Sequence, residues 1–337
     1  MKKILILTTG GTIVSMASEQ GLQPKISNHE LLNYIGSMTK KYDITCESIM
    51  NLDSSNIQVE EWKKIAHSIY DNIDNYDGII VTHGTDTMAY TASMLSFMLQ
   101  DLDKPVVLTG SQMPISNMLT DGKINLYTAF AAIDCNIKGI SIAFNRKVIR
   151  GCRAVKVRTM GFEAFESVNS PYLAQVYAVG IKKYGEEHNT LNVIDERKTK
   201  LLDKVSTKVF LLKLIPNTNP MIFDMIHQMG YKGIVLEAFG SGGLHFERRD
   251  LIEKIEEVTK AGMVVVACSQ CLYETSDFTL YEVGRKLLEC GAIPGRDMTT
   301  EAAVTKLMWA LGQTNDVDEI KKIFATDIAG EVSLVSE

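Results

Sequence analysis

Gly78-Ile79-Ile80-Val81-Thr82-His83-Gly84-Thr85-Asp86-Thr87 decides how this chain is read. The first five residues are apolar with little alternation, as in a parallel strand covered on both faces. Residues 88–99 then carry helical periodicity, so the turn from 83 to 87 joins a strand to a helix. Asp86 or Thr85 stands where a helix N-cap is expected. Ligands of open α/β sheets bind beyond the carboxyl ends of the strands, so a Thr-Asp pair there also invites a functional reading. Taken alone, the pentapeptide favours capping, which is the commoner use of such residues.

A second stretch changes that balance. Residues 3–8 read as the first strand, and Thr9-Gly10-Gly11-Thr12 follows it. Two glycines let the backbone turn sharply and approach a ligand. The chain therefore offers two glycine-plus-threonine turns, each after a buried strand. A phosphate-binding turn is the natural competitor, but neither G-x-G-x-x-G nor G-x-x-x-x-G-K-[ST] occurs here.

Composition removes several classes. The chain has 337 residues, room for about two domains. Its 45% hydrophobic and 23% charged content is that of an ordinary globular protein. The net charge is −6 and there is no basic stripe, so nucleic acid is not an expected partner. No stretch reaches about 18 apolar residues, so no membrane span is expected. Met1-Lys2-Lys3 and the apolar Ile4–Leu7 imitate a leader. The apolar run is too short, and it ends in Thr-Thr-Gly-Gly rather than at a cleavage site. The six cysteines lie mostly in or beside apolar runs and read as reduced core residues. Cys268-Ser-Gln-Cys271 is a lone C-x-x-C without a second pair, so no metal is expected.

In order, the first half reads β-α-β-α-β-α-β. Strands are expected at 43–50, 78–82, 104–109 and 139–144, and helices at 28–38, 59–73, 88–99 and 121–134. Ser27-x-x-Glu30 is a capping box for the first helix. Residues 13–25 lack periodicity and read as a surface loop, a possible lid over the first turn. Asp53-Ser54-Ser55-Asn56 reads first as an Asx turn. The fold class is α/β, with a doubly wound parallel-sheet N-terminal domain and a smaller α/β C-terminal domain. The boundaries are an N-terminal catalytic domain over 1–188, a linker over 189–206 and a C-terminal domain over 207–337. The cations between Arg146 and Arg158 read by default as a solvated face. Lys156 is the exception: between Val155 and Val157 it points to the face opposite theirs and can turn inward.

Thr12, Ser54, Ser55, Thr85, Asp86 and Lys156 could thus meet at one sheet edge. A threonine hydroxyl needs a base to act as a nucleophile. A lysine shielded from water can serve, with an aspartate to hold it or to bind an ammonium group. Glycine turns supply N–H groups for an oxyanion. These parts suit acyl transfer at an amide, without a metal.

The paired motifs Thr9–Thr12 and His83–Thr87 resemble the two signatures of the bacterial-type L-asparaginases. Residues 83–99, Thr109-Gly-Ser-Gln-Met-Pro114, Gly161-Phe-Glu-Ala-Phe165 and Asp297-Met-Thr-Thr-Glu-Ala302 resemble the cytoplasmic, type I branch and its archaeal relatives. The resemblance implies that Thr12 forms a β-aspartyl ester, supported by Thr85, Lys156 and Asp86. Asp86 would also bind the substrate's α-ammonium, and Ser54 its α-carboxylate, with Ser55, Asp53 and Gly84 completing the substrate site. It implies L-asparagine and L-aspartate as substrate and product, no cofactor, no metal, a cytoplasmic location and a homodimer or homotetramer. In such pairs the turn Gly240–Gly243 would complete the neighbour's site. Two departures stand out. The family's lid tyrosine is replaced by Leu22. Glu237 stands where an allosteric site would carry an arginine beside Cys271, so no asparagine-induced regulation is expected.

The alternatives are an amidohydrolase acting on L-glutamine or a modified asparagine, a glutaminase-like component of an archaeal tRNA amidotransferase, and a non-catalytic amino-acid-binding homologue. The amidotransferase component usually carries an added N-terminal module. A chain that opens directly on the first strand is expected to lack it.

Overall fold

The computed structural model describes residues 1–18, 21–24, 27–184 and 198–333, with only the backbone at 16–18 and 21–24. The chain divides into two compact units, Met1–Asp203 and Lys204–Glu337.

In the first unit, β1 (Lys3–Gly10) leads into the hairpin β2 (Ser15–Ser18) and β3 (Gly21–Pro24). Helices α1 (Asn28–Tyr34) and α2 (Gly36–Thr39), β4 (Asp43–Leu52) and α3 (Val59–Asn72) follow. Next come β5 (Gly78–Thr82), α4 (Met88–Met98), β6 (Leu99–Gln100), β7 (Pro105–Thr109), α5 (Gly122–Asp134) and β8 (Gly139–Phe144). Short strands complete the unit: β9 (Lys147–Arg150), β10 (Ala154–Lys156), β11 (Phe165–Ser167), β12 (Ala174–Tyr177), β13 (Gly180–Lys183) and β14 (Lys200–Leu201).

The main sheet has the order β13-β12-β9-β8-β7-β5-β1-β4. Strands β8, β7, β5, β1 and β4 run parallel, and β9, β12 and β13 extend them antiparallel. Ile4 to Leu7 and Ile79 to Val81 are fully buried, which is why these strands read as unbroken apolar runs. From β1 the chain steps to β4 on one side, and from β5 it steps to β7 on the other. The order reverses between β1 and β5, and the ligand crevice of a doubly wound sheet lies beyond such a reversal.

The second unit has four parallel strands in sequence order: β15 (Val209–Lys213), β16 (Gly233–Ala238), β17 (Val264–Ser269) and β18 (Ile293–Pro294). Its helices are α6 (Met221–Gln228), α7 (Leu251–Lys260), α8 (Glu282–Glu289), α9 (Thr300–Gln313) and α10 (Val317–Ala325). Lys306 of α9 is fully buried and ion-paired with Glu331, which fastens the carboxyl-terminal segment to this core.

The α/β class and the two sheets are as expected, and four local expectations change. Within 13–25 the described residues are not an irregular loop: Ile13 and Val14 are buried, and β2 pairs antiparallel with β3. Four-residue strands are too short for alternation to register. The Leu22 side chain lies outside the described residues. The capping box at Ser27 and Glu30 is present, but its helix breaks at Ile35, before a glycine with no side chain to favour the helix. Within the cationic stretch Arg153 is buried rather than solvated, in the turn that carries the chain from β9 to β10. Lys200 and Leu201, placed in the linker by sequence, pair with Gln100 and Leu99 inside the first unit. Residues 189–197 of that linker lie outside the described residues. Among the described residues no helix is long and apolar enough to cross a membrane.

Candidate active site

Three loops converge beyond β1, β4 and β5, and glycines allow it. Gly10 and Gly11 have φ of +107° and +79°. A Cβ on Gly11 would lie 2.5 Å from the Gly84 backbone nitrogen, and one on Gly10 would lie 2.4 Å from the Leu52 oxygen. On Gly84 it would lie 2.6 Å from Ser54 Oγ. The Gly11 N–H also donates to Leu52 O at 3.1 Å. Thr12 and Thr85 each follow a glycine in this contact, so backbone packing brings the two threonine turns together.

Thr12 opens a single 3-10 turn, half-buried. Its hydroxyl makes no hydrogen bond among the described residues. Thr85 is buried, and its Oγ1 accepts from Lys156 Nζ at 2.8 Å. The same hydroxyl donates to Gln112 Oε1 at 3.3 Å. Lys156 Nζ also donates to Asp86 Oδ1 at 2.5 Å. The lysine side chain is 18% exposed and that of Asp86 62%, so the ammonium is sheltered while the carboxylate faces outward. The antiparallel pair β10–β11, in which Lys156 sits opposite Phe165, delivers the lysine to this edge.

Neither Thr85 nor Asp86 caps α4. Thr87 occupies the N-cap and makes no capping bond. Its hydroxyl donates instead to Ser54 O at 2.7 Å, while Ser54 Oγ accepts from Asp86 N at 3.2 Å. Buried Ser54 therefore ties the β4 loop to the β5 loop, and its hydroxyl proton stays available to a ligand. Asp53 and Ser55 behave differently. Asp53 Oδ1 accepts from the Ser55 N–H at 2.8 Å and from its hydroxyl at 2.6 Å, and these bonds hold the Asp53 carboxyl below its usual range. Both residues are exposed, and they form the Asx turn that the local sequence favours.

Sequence reasoning named no role for Gln112 or its supports. Besides accepting from Thr85, Gln112 donates from Nε2 to Thr159 O at 3.1 Å and Gly161 O at 3.2 Å. Its backbone N–H donates to Asp121, which also accepts from Asn125 Nδ2 at 3.0 Å. Asn125 Nδ2 reaches Gly110 O at 2.9 Å. The available signal was a polar side chain three residues beyond a buried strand, in Thr109-Gly-Ser-Gln-Met-Pro114. The arrangement joins a sheltered ammonium, a threonine hydroxyl between that ammonium and an amide oxygen, and a second threonine with no partner among the described residues. Such a set can move a proton beside a nucleophile. Among the described residues no group of three or more His, Cys, Asp or Glu could hold a metal ion.

Two family models match the chain: "Asparaginase, N-terminal" over residues 3–188 and "Glutaminase/Asparaginase C-terminal domain" over residues 208–324. The L-asparaginase of Thermococcus kodakarensis is 40% identical over 334 residues, covering 98% of this chain and 99% of the relative. The solved thermostable L-asparaginase from Thermococcus kodakarensis superposes with a TM-score of 0.91 over 98% of this chain and 99% of that one. L-asparaginase I from Vibrio cholerae O1 is similar at a TM-score of 0.87 and 30% identity, covering 99% of both chains. A glutamyl-tRNA(Gln) amidotransferase component from Metallosphaera sedula is 34% identical over 98% of this chain and 76% of its own length.

Proposed function

The chain belongs to the asparaginase family, and from that premise we propose that it hydrolyses L-asparagine to L-aspartate and ammonia through an acyl-enzyme on Thr12. The observation that carries this reading is Lys156 Nζ held at once by Thr85 Oγ1 and Asp86 Oδ1, in a turn whose Gly84 abuts the Gly11 of the Thr12 turn.

In the first half-reaction Thr12 Oγ1 attacks the side-chain amide carbon. Its proton passes through the Thr85–Lys156 pair to the departing nitrogen, the C–N bond breaks, and ammonia leaves. Water then attacks the ester carbon, returns a proton to Thr12 Oγ1, and aspartate departs. Asp86 steadies the lysine and, being exposed, can also meet the substrate's α-ammonium. Ser54 supplies a hydroxyl to the α-carboxylate. Asp53, Ser55 and Gly84 line the site, Gly84 through its backbone. No step calls for a metal or cofactor. A homodimer or homotetramer, a cytoplasmic location and a role for Gly240–Gly243 in the neighbour's site belong to the same proposal. They rest on the resemblance to type I enzymes.

The relatives named as amidotransferase components favour a second reading, a glutaminase half of a larger complex. The one from Metallosphaera sedula is less similar to this chain than the asparaginase relative, at 34% against 40% identity. The test is ammonia release from L-asparagine, L-glutamine and D-asparagine, with Thr12→Ala as control. We expect release from L-asparagine and a loss of about a thousandfold or more in Thr12→Ala, with thermal stability unchanged. An active Thr12→Ala protein would refute the role given to Thr12. Release from L-glutamine alone would favour the amidotransferase reading.

A further inference from the structure

His83 is fully buried at the end of β5, and both its ring nitrogens are engaged. Nδ1 lies 2.7 Å from Gly84 O, and Nε2 lies 2.9 Å from Thr91 Oγ1. A carbonyl oxygen only accepts, so Nδ1 carries the hydrogen. Burial depresses the ring's pKa to about 4, so the imidazole is neutral and has one N–H to give. Nε2 must then accept, and the Thr91 hydroxyl donates to it. Thr91 Oγ1 in turn accepts at 2.9 Å from the indole N–H of Trp62, a group that can only donate. The bonds run in one direction: Trp62 to Thr91, Thr91 to His83, His83 to the Gly84 carbonyl.

That carbonyl belongs to the peptide joining Gly84 to Thr85. In a planar trans peptide the C=O and N–H point in opposite directions. Fixing Gly84 O towards His83 therefore turns the Thr85 N–H away from the histidine. Among the described residues that N–H donates to no acceptor. The same peptide plane sets the departure of the Thr85 side chain, which Lys156 reaches.

We propose that His83 is a positioning residue for the reaction: its Nδ1–H, directed by Thr91 and Trp62, locks the Gly84–Thr85 peptide so that the Thr85 N–H and hydroxyl are aimed at the reacting carbonyl. The inference rests on the asparaginase reading above. The competing view is that His83 only fills space in the core, with its polar atoms satisfied. The two differ over whether the Nδ1 donor or the volume of the ring matters.

Three variants separate them, each followed by kcat and KM for L-asparagine and by a thermal melt. His83→Leu removes the donor. His83→Asn places an amide N–H where Nδ1–H stands. Thr91→Val keeps the shape but no longer directs the tautomer. We expect kcat of His83→Leu to fall about tenfold or more with KM within about threefold. His83→Asn should recover to within about threefold of the unaltered protein, and Thr91→Val should fall between them. A folded His83→Leu with unchanged kcat overturns the inference. So does a His83→Asn as slow as His83→Leu at equal stability. Should His83→Leu fail to fold, the histidine ¹⁵N spectrum of the unaltered protein decides. An Nε2–H or a charged ring at neutral pH overturns the inference; with a neutral Nδ1–H ring Thr91→Val decides, a kcat lowered at equal stability upholding the inference and an unchanged kcat overturning it. No ammonia release by the unaltered protein overturns the asparaginase reading and this inference together. An active parent with insensitive His83 variants overturns this inference alone.

Discussion

Both units end their parallel strands in polar turns, yet the two edges are built differently. Beyond β1 and β5, glycines bring backbone against backbone, and Thr12 keeps a hydroxyl with no partner among the described residues near the paired Thr85, Lys156 and Asp86. Beyond β15 and β16, side chains satisfy one another. Glu237 accepts from Thr300 at 2.6 Å and lies 3.4 Å from Lys213, and Gln270 bonds both Leu214 O and Glu237 O. A polar edge becomes a candidate reaction site when a paired set stands near a hydroxyl that is left without a partner. It stays structural when its groups can reach each other.

That contrast can be broken in several ways. The largest effect should come from Lys156→Met, which leaves Thr85 and Asp86 without their shared donor. We expect kcat to fall by about 100- to 10,000-fold while the melting temperature moves little, since one partner, Asp86, is exposed. Unaltered turnover would mean that the Thr85–Lys156–Asp86 set is no more than a surface tie.

Two glycine substitutions compare the edges directly. Gly11→Ala meets both a left-handed backbone and the Gly84 nitrogen, so it should cost about 2–3 kcal/mol and most of the activity. Gly240 has φ of +47° but open space around a Cβ. Gly240→Ala should cost about 1 kcal/mol. Equal costs in melting experiments would show that backbone strain, rather than close approach, sets the first edge.

The pH responses should run in opposite directions. In the first unit the folded His83 has a pKa of about 4 against an ordinary 6.5. Between those values the unfolded state binds more protons. The stability His83 contributes is present above pH 6.5 and is lost as pH falls towards 4. In the second unit, burial first and the nearby Glu237 charge second raise Glu301 from 4.5 to about 7. Here the folded state binds more protons, so that contribution is full below pH 4.5 and is lost as pH rises through 7. The melting temperature difference between parent and His83→Asn should shrink at low pH. The difference between parent and Glu301→Gln should move against the parent as pH rises. Parallel pH trends for the two variants would contradict the assignment.

The smallest effect is expected at Ser55. Its hydroxyl is already given to Asp53 in an exposed turn. Ser55→Ala should change KM less than about threefold and stability by under about 1 kcal/mol. A larger rise in KM would show that the Ser55 hydroxyl leaves Asp53 to contact the substrate directly.

Much of this was legible in the chain because its signals are local. Unbroken apolar runs marked the buried strands, and the paired turns at Thr12 and Thr85 marked the sheet edge. Strand periodicity alone put Lys156 on the face opposite Val155 and Val157, from which it could turn inward. The Ser27–Glu30 capping box was also readable, because a cap involves residues three apart.

Other features depend on residues distant in sequence. Thr85 and Asp86 looked like helix caps because local sequence cannot show that Lys156, some 70 positions away, claims both. Gln112 carried only the signal of a polar side chain just beyond a buried strand, since its value lies in bridging Thr85 to the 159–161 loop. Arg153 looked solvated because burial of a cation is decided by what packs over it.

By itself the sequence determined the order of the main parallel strands with the helices between them, the two glycine-threonine turns and the family. Only the tertiary structure decided that the strand order reverses between β1 and β5, that Gly11 rests on Gly84, and that Trp62, Thr91 and His83 act on one carbonyl. The physical reason is range: propensity, periodicity and capping act over a few residues, whereas contacts that place a hydroxyl within hydrogen-bonding distance of a lysine exist only once the sheet has closed over its core.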